Sequence, residues 1–200
     1  MKRSAVIGLI AANVLIYLWQ LSATNFVEYQ FALWPIHRIY GNAPFQIWQL
    51  VTYAFLHSTG NFSHLAFNML GLWMFGAPVE NALGTPRFLA AYFASVVTAA
   101  ITQLFVPQLF GAAPDVTIGA SGGVFGLLLA FAMLFPKEKV VPLIAPIPMP
   151  AWLFATLYAV VELLLGVSGR MADVAHFAHL GGMVGSFLVV SQWQAARRRS

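Results

Sequence analysis

Charged side chains are scarce throughout this chain, and their scarcity limits what it can fold into more than any other feature. Asp, Glu, Lys and Arg make up 8% of the 200 residues, whereas a soluble domain carries about a quarter. The hydrophobic share is 60% and the mean hydropathy is +0.78. Such a chain cannot cover a water-facing surface with polar groups, so it is predicted to be an integral membrane protein.

Six apolar segments approach the length of about 20 residues that a membrane-spanning helix needs. Proline, glycine and charged residues separate them, for example Pro136 and Lys137 after the fourth segment. The chain is therefore predicted to form a single all-α membrane domain over residues 1–200. The predicted spans cover residues 5–21, 62–78, 87–104, 121–135, 150–167 and 174–193.

The distribution of Lys and Arg predicts the orientation of the chain. Six spans place both ends on one side of the membrane, and that side holds eight of these residues against two on the other. Cytoplasmic flanks are rich in Lys and Arg, so both termini are predicted to be cytoplasmic. The first segment lacks a small-residue cleavage site and is interpreted as a retained span, not a signal peptide. The eight are Lys2, Arg3, Arg87, Lys137, Lys139, Arg197, Arg198 and Arg199, and the other two are Arg38 and Arg170.

The first outer connection, residues 22–61, is rich in aromatic side chains and poor in charge. Aromatic rings prefer the headgroup level of a bilayer, so this loop is predicted to lie in the interface. An ordinary aromatic belt would explain the composition equally well. The rings are Phe26, Tyr29, Phe31, Trp34, Tyr40, Phe45, Trp48 and Tyr53.

The fourth segment is too short to cross the hydrocarbon core. From Ser121 to Pro136 it covers roughly 22 Å as a helix, less than the core thickness. The residues before it, 105–118, are apolar but are interrupted by Pro107, Gly111 and Pro114. Irregular backbone below the membrane surface needs a covering of protein or a water-filled cavity. Ser121 is therefore predicted to begin a helix that starts beneath the outer surface.

Polar side chains inside predicted spans are candidates for function because they are costly in lipid. His64 and Asn68 lie four residues apart, on one face of the second span. Ser121 begins the fourth span, and His176 and His179 lie in the sixth. These three spans run in the same direction, and the polar residues lie in their first turns. They are therefore predicted to meet at one depth, in the outer half of the bilayer.

These residue types suit hydrolysis by an activated serine. An imidazole such as that of His179 can take the proton of the Ser121 hydroxyl and return it to a leaving amine. His64, Asn68 and the Ser121 backbone N–H could stabilise the resulting oxyanion. No third acidic member suggests itself, so a Ser–His dyad is predicted, and Glu162 in the fifth span receives no role. Glycines at 119, 122 and 123 would allow close approach of backbone.

Other interpretations compete with this one. A Gly-x-Ser-Gly stretch can be a helix-packing face, and a buried His or Asn more often makes an interhelical hydrogen bond. A transporter or channel would be expected to show repeats with matched broken helices, and no convincing repeat is present. The chain has no cysteine and no His-Glu-x-x-His motif, so no thiolate site is possible and a zinc enzyme is disfavoured. No cofactor or metal is predicted.

Four stretches resemble the rhomboid family of intramembrane serine proteases, and the resemblance extends over essentially the whole chain. They are WQLVTYAFLHSTGNFSHLAFNMLGLWMFG, GAPVENALG, GASGGVFG and AHLGGMVGS. The resemblance implies a six-helix bundle whose active site opens to the outer side, and cleavage of the transmembrane helices of other membrane proteins. It implies Ser121 as nucleophile, His179 as general base, and His64 and Asn68 as oxyanion-hole donors.

The resemblance also implies supporting roles. His57 matches a histidine that helps to order the first outer loop, and Glu80 with Gly84 matches a structural motif at the end of the second span. Small residues follow the family's catalytic histidine at three and seven positions, where this chain has Gly182 and Ser186 after His179. That spacing favours His179 as the base over His176, which is left as an accessory residue.

Two positions depart from the family pattern. Phe125 stands where a tyrosine often stacks on the base, and Trp48-Gln49 replaces a common Trp-Arg pair. Neither change removes the dyad.

The alternative function is that of an inactive rhomboid-like protein that binds client membrane helices, but such relatives usually lose the serine or the histidine. The expected partners are transmembrane substrates and the bilayer, with no nucleic acid. The expected location is a bacterial plasma (inner) membrane, where the chain would be multi-pass.

Overall fold

A computed structural model describes residues 4–36, 43–111, 115–142, 146–169 and 174–199, and over these residues the chain is predominantly helical. The all-α prediction is confirmed, apart from a two-stranded antiparallel pair, β1 (Lys139–Val140) and β2 (Met149–Pro150). The helices are α1 (Ser4–Ser22), α2 (Thr24–Phe31), α3 (Gln49–Thr52), α4 (Phe62–Gly71), α5 (Ala77–Leu83), α6 (Thr85–Leu109), α7 (Ser121–Leu134), α8 (Ala151–Ser168) and α9 (His176–Arg197). Six residues that were used in the predictions above lie outside the described residues. They are Lys2, Arg3, Arg38, Tyr40, Pro114 and Arg170.

Three of these helices are long and apolar enough to cross a membrane. They are α1, α6 and α8, with 19, 25 and 18 residues. Helix α7 is equally apolar, but its 14 residues extend over only about 21 Å, which is shorter than the hydrocarbon core. A helix of that length is too short to reach both surfaces of a bilayer.

Two helices differ from their predicted bounds because proline is tolerated where it was expected to end them. Pro78 lies in the first turn of α5, after a π-helical turn at Leu72–Gly76 that joins α4 to α5. The wider turn accommodates a residue that has no N–H to donate. Helix α6 continues through Pro107 to Leu109. Next to it, the Gln108 side chain donates to the carbonyl of Leu104 at 2.9 Å.

The centre of the fold is formed by α9 packed against α6 and α7. Small residues make this close packing possible. A Cβ placed on Gly182 of α9 would overlap the carbonyl oxygen of Gly122 on α7, and a Cβ on Gly185 would overlap Thr98 of α6. The interface that holds α9 at α7 therefore depends on the absence of side chains.

We expect Gly182→Ala to lower the free energy of unfolding by about 1–3 kcal/mol, the usual cost of forcing extra volume into a packed interface. The methyl group has backbone, not a flexible side chain, in its way. Gly8→Ala is the matched control, since nothing lies within 4 Å of that Cβ and alanine is the better helix former. Thermal unfolding in detergent compares the two, and equal melting temperatures would contradict the packing role of Gly182.

The first connection is anchored to the core of the molecule. Leu33 and Thr117 exchange backbone hydrogen bonds of 3.0 Å in each direction, which joins this loop to the segment before α7. Gln49 is fully buried, and its side chain donates to the carbonyl of Gln30 and accepts from the backbone of Gln46. Tyr53, predicted among the interfacial rings, instead lies in the core at 1% exposure.

Glu80 connects the start of the chain to the turn between α5 and α6. Its carboxylate accepts the backbone N–H groups of Ala5 and Val6 at 3.1 Å and the hydroxyl of Thr85 at 2.7 Å. A carboxylate at the beginning of a helix satisfies donors that have no partner within the helix and favours its dipole. The buried Glu80 thereby holds α1 against the end of α5.

Candidate active site

Ser121 and His179 are in direct contact although 58 residues separate them in sequence. Ser121 is the first residue of α7, and His179 lies in the first turn of α9. The Ser121 Oγ and the His179 Nε2 atoms are 2.9 Å apart, which is a hydrogen-bond distance. The close packing of α7 on α9 produces this contact, which suits transfer of the hydroxyl proton to the imidazole.

The imidazole of His179 is held flat against the ring of Phe125. The two ring centres are 4.1 Å apart and the planes differ by 3°. Phe125 lies one turn after Ser121 on α7, so one helix carries both the hydroxyl and the ring that orients its partner. The stacking that a tyrosine often supplies at this position is present here without a hydroxyl group.

Gly119 brings the backbone close to His64 just before α7. Its φ of +126° is in the region that favours glycine, and an added Cβ would lie 2.7 Å from the His64 Nε2 atom. Its N–H donates to the carbonyl of Tyr53 at 3.0 Å. Any side chain at position 119 would displace the imidazole of His64 or the strand of chain that leads to Ser121.

His64 and Asn68 lie on one face of α4, near the start of α7. The Nδ1 atom of His64 accepts from the Ser58 N–H at 3.3 Å, so in a neutral ring the proton is on Nε2. The Asn68 amide donates one hydrogen to the His64 carbonyl at 2.8 Å and keeps a second. Both side chains therefore retain a donor.

His57 is fully buried beside His64, with ring centres 5.1 Å apart. Neither of its ring nitrogens has an aligned hydrogen-bond partner among the described residues. Its backbone N–H donates to the side chain of Gln20 at 3.0 Å. Burial lowers the pKa of His57 from 6.5 to about 3, with a smaller contribution from His64, and the backbone of Phe55 offsets part of the decrease.

This pKa predicts a loss of stability in acid. Between about pH 6.5 and pH 3 the unfolded chain binds a proton at His57 that the folded chain excludes. The free energy of unfolding therefore falls as the pH falls through that window, by at most about 1.4 kcal/mol per pH unit. Melting temperatures in detergent from pH 7 to pH 4 test this, with His57→Gln as the non-titrating variant. The wild type is expected to lose more stability than the variant, and parallel slopes would contradict the prediction.

Two cavities of different character meet at Ser121. One, of about 520 Å³, is partly polar and reaches the surface at Asn61 and Asp115; His64 and His179 also line it. The other, of about 570 Å³, is an apolar groove. Among the described residues, Ser121 is the one that lines both. The groove is bounded by Phe67, Leu70, Gly71 and Met74 near α4 and by Phe154 and Tyr158 of α8.

A carboxylate lies behind His179, and sequence reasoning missed it. Glu162 of α8 is 6% exposed, and its Oε2 atom is 2.6 Å from the Nδ1 of His176 and 3.0 Å from the Nδ1 of His179. The contact with His179 is a close approach of the two atoms and not an aligned hydrogen bond. One feature of the sequence could have pointed to a role for Glu162, because it is the one charged residue in the sequence of α8.

The same three residues offer one potential metal-ligand atom each, and these atoms lie within 4.8 Å of one another. Two imidazoles and a carboxylate are a set that Zn²⁺ accepts. The imidazole–carboxylate contacts already account for the positions of all three side chains.

Comparison with known proteins gives a consistent family assignment. A family model for the rhomboid domain matches residues 44–192. The chain is 33% identical over 183 residues to "Rhomboid protein 1, mitochondrial" of Saccharomyces cerevisiae, covering 90% of this chain and 50% of the yeast protein. It is 30% identical over 146 residues to "Rhomboid protease GluP" of Bacillus subtilis, covering 72% of this chain and 25% of that protein.

A third relative is "Rhomboid protease GlpG" of Serratia proteamaculans, which is 28% identical over 196 residues, covering 96% of this chain and 63% of that protein. The chain thus spans between a quarter and two thirds of the length of these relatives. The family model covers well over half of the chain, and the resemblance seen in its motifs is confirmed. Its apolar helices agree with an integral membrane location. The chain belongs to the rhomboid family.

Proposed function

We propose that this chain is an intramembrane serine protease that hydrolyses peptide bonds in or near the transmembrane helices of other membrane proteins. Ser121 is the nucleophile and His179 the general base. One observation carries the proposal: the 2.9 Å contact between Ser121 Oγ and His179 Nε2 lies where a partly polar cavity meets an apolar groove. Relatives with the same domain are named as proteases.

The proposed reaction has two halves. In the first, Ser121 Oγ attacks the substrate carbonyl carbon while its proton passes to His179 Nε2. The C–N bond then breaks, and the amine leaves with that proton. In the second half, water gives a proton to His179 and attacks the acyl-serine ester. The acid product leaves, and the proton returns to Ser121.

The negative charge on the attacked oxygen is assigned to three donors. The N–H of Ser121 is at the start of α7, where the first backbone N–H groups have no partner within the helix. The Nε2–H of His64 and the second N–H of Asn68 supply the side-chain donors. Donors that are already in place and shielded from water stabilise such a charge far better than donors in water do.

The two cavities give the two reactants separate routes. Water is expected to reach the acyl-serine through the partly polar cavity, which extends to exposed residues. A substrate helix is expected to approach through the apolar groove between α4 and α8, where Phe67 and Met74 are exposed. Exposed apolar side chains around a groove are typical of a surface that faces lipid or a partner helix.

The proposed topology is the one that the sequence predicts, with six spans and both termini in the cytoplasm. Helices lie over each predicted span, although three of them satisfy the length and hydropathy that a crossing helix requires. A bacterial plasma membrane stays a prediction, because the relatives include a mitochondrial protein of yeast as well as bacterial ones.

Labelling with a fluorophosphonate tests the proposal without a known substrate. Such a probe forms a bond with a serine hydroxyl only when a base activates it. Incubation in detergent is expected to add the probe to Ser121, as mapped by mass spectrometry, and to leave Ser121→Ala unlabelled. Ser168→Ala is the matched control, since Ser168 is an exposed serine on α8, and it should label like the wild type.

Two other labelling results would contradict the proposal. A wild type that stays unlabelled although it is folded would overturn the serine-protease proposal and favour the inactive, helix-binding alternative. Labelling at a serine other than Ser121 would overturn the assignment of the nucleophile.

A further inference from the structure

Glu162 is placed where a carboxylate is costly. It is 6% exposed and lies two thirds of the way along α8, whose other side chains carry no charge. Moving an ionised carboxylate into an apolar environment costs several kcal/mol unless donors compensate it. Ionisable side chains inside a membrane are therefore found mainly where they have a function, such as binding a substrate or transferring a proton.

The two imidazoles that face the Glu162 carboxylate are both on α9. Its Oε2 atom faces the Nδ1 of His176 at 2.6 Å and the Nδ1 of His179 at 3.0 Å. One oxygen thus contacts two imidazoles that are three residues apart on the same helix turn. The shorter contact, to His176, fixes the carboxylate against α9.

The carboxylate of Glu162 favours one position for the proton on the neutral ring of His179. An Nδ1 atom that faces a carboxylate is favoured as the protonated one, so Nε2 keeps its lone pair. That lone pair is directed at the Ser121 hydroxyl, 2.9 Å away. The stacked Phe125 ring limits rotation out of this orientation. When His179 accepts the serine proton, the nearby negative charge also favours the imidazolium that forms.

We propose that Glu162 is a positioning residue for His179, so that Ser121, His179 and Glu162 form a Ser–His–Glu triad in which His176 holds the carboxylate. This inference rests on the proposed function, because it concerns the base of the same reaction. It replaces the simple dyad predicted from the sequence with a three-member arrangement. The acidic member comes from α8, which α9 contacts directly.

A purely structural ion pair between α8 and α9 is the competing explanation. It predicts that loss of the carboxylate lowers stability and affects activity only through unfolding. The positioning role predicts a loss in the chemical step of a folded protein. Glu162→Gln separates the two, because the amide keeps the size and one acceptor oxygen but removes the charge.

The experiment measures kcat and KM on a transmembrane substrate, the rate of fluorophosphonate labelling and the melting temperature, all in EDTA so that no metal occupies the three side chains. We expect Glu162→Gln to lower kcat and the labelling rate by about 10- to 100-fold, the range known for partners that orient a metal-bound imidazole. KM is expected to stay close to that of the wild type. Glu162→Asp restores a charge and is expected to recover at least part of the rate. Thr156→Ala, which removes an exposed hydroxyl from the same helix, is the matched control.

Each result decides between the explanations. If Glu162→Gln is labelled at the wild-type rate while Ser121→Ala is not labelled, the positioning role is overturned and the protease proposal stays intact. A rate loss in both Glu162→Gln and Glu162→Asp that follows the fall in melting temperature would also overturn it. A wild type that does not label would overturn the protease proposal first.

Discussion

Ser121→Ala is expected to abolish cleavage of a transmembrane substrate, with a loss on the order of 10⁶-fold in kcat. The variant keeps the α7 backbone and the groove, so a substrate helix should still bind. It lacks the atom that forms the acyl intermediate, and the remaining oxyanion donors can give only a small residual rate. The measurement is single-turnover cleavage of a labelled membrane helix in liposomes, which excludes soluble contaminating proteases.

Because Ser121 is partly exposed to both cavities, its replacement by alanine should leave the fold unchanged. An unchanged melting temperature is the control for that expectation. Cleavage by the alanine variant at the wild-type rate would refute the serine-protease proposal, whatever the probe labels.

The second large effect is expected at His179. His179→Ala removes the base that contacts Ser121 and should lower kcat by a similar factor, on the order of 10⁶. His176→Ala loosens Glu162 but leaves the Ser121–His179 contact, so it should retain most of the activity, within about 10-fold of the wild type, as for the loss of a supporting interaction. Side-by-side assays of the two variants, with their melting temperatures, measure the difference.

The pair provides its own control, since both changes remove a buried imidazole from the same end of α9 and one contact of Glu162. A result in which His176→Ala is inactive and His179→Ala is active would reverse the assignment of the base. If both variants lose activity equally and both unfold, the loss of activity comes from a less stable α9 and not from the loss of a base.

The meeting of the polar residues could be predicted because it depends on properties that a sequence carries. The direction of three spans and the positions of His64, Ser121 and His179 in their first turns put the three side chains at one depth. In the structure all three line one cavity. The resemblance to the family also implied a small residue at position 182, where close approach of α9 to α7 requires one.

Glu162 could not be placed in the same way. It lies on α8, and the rotation of α8 about its own axis decides whether the side chain meets His179 or faces away from α9. That rotation comes from packing, for example of Phe154 and Ala155 against α7 and its neighbours, and no periodic signal in the sequence reports it. Likewise, α6 continues past Pro107, because only two residues of the helix follow it and the hydrogen bond lost at the proline disturbs only the end of the helix.

The position of Ser121 between two cavities has a consequence for inhibition. A bulky apolar molecule lodged between Phe67 and Tyr158 would compete with a helical substrate but would leave the approach past Asn61 free for a small water-soluble electrophile. Such a compound would be competitive toward proteolysis and without effect on modification of the serine. Proteolysis could therefore be inhibited without covalent modification of Ser121, the proposed nucleophile.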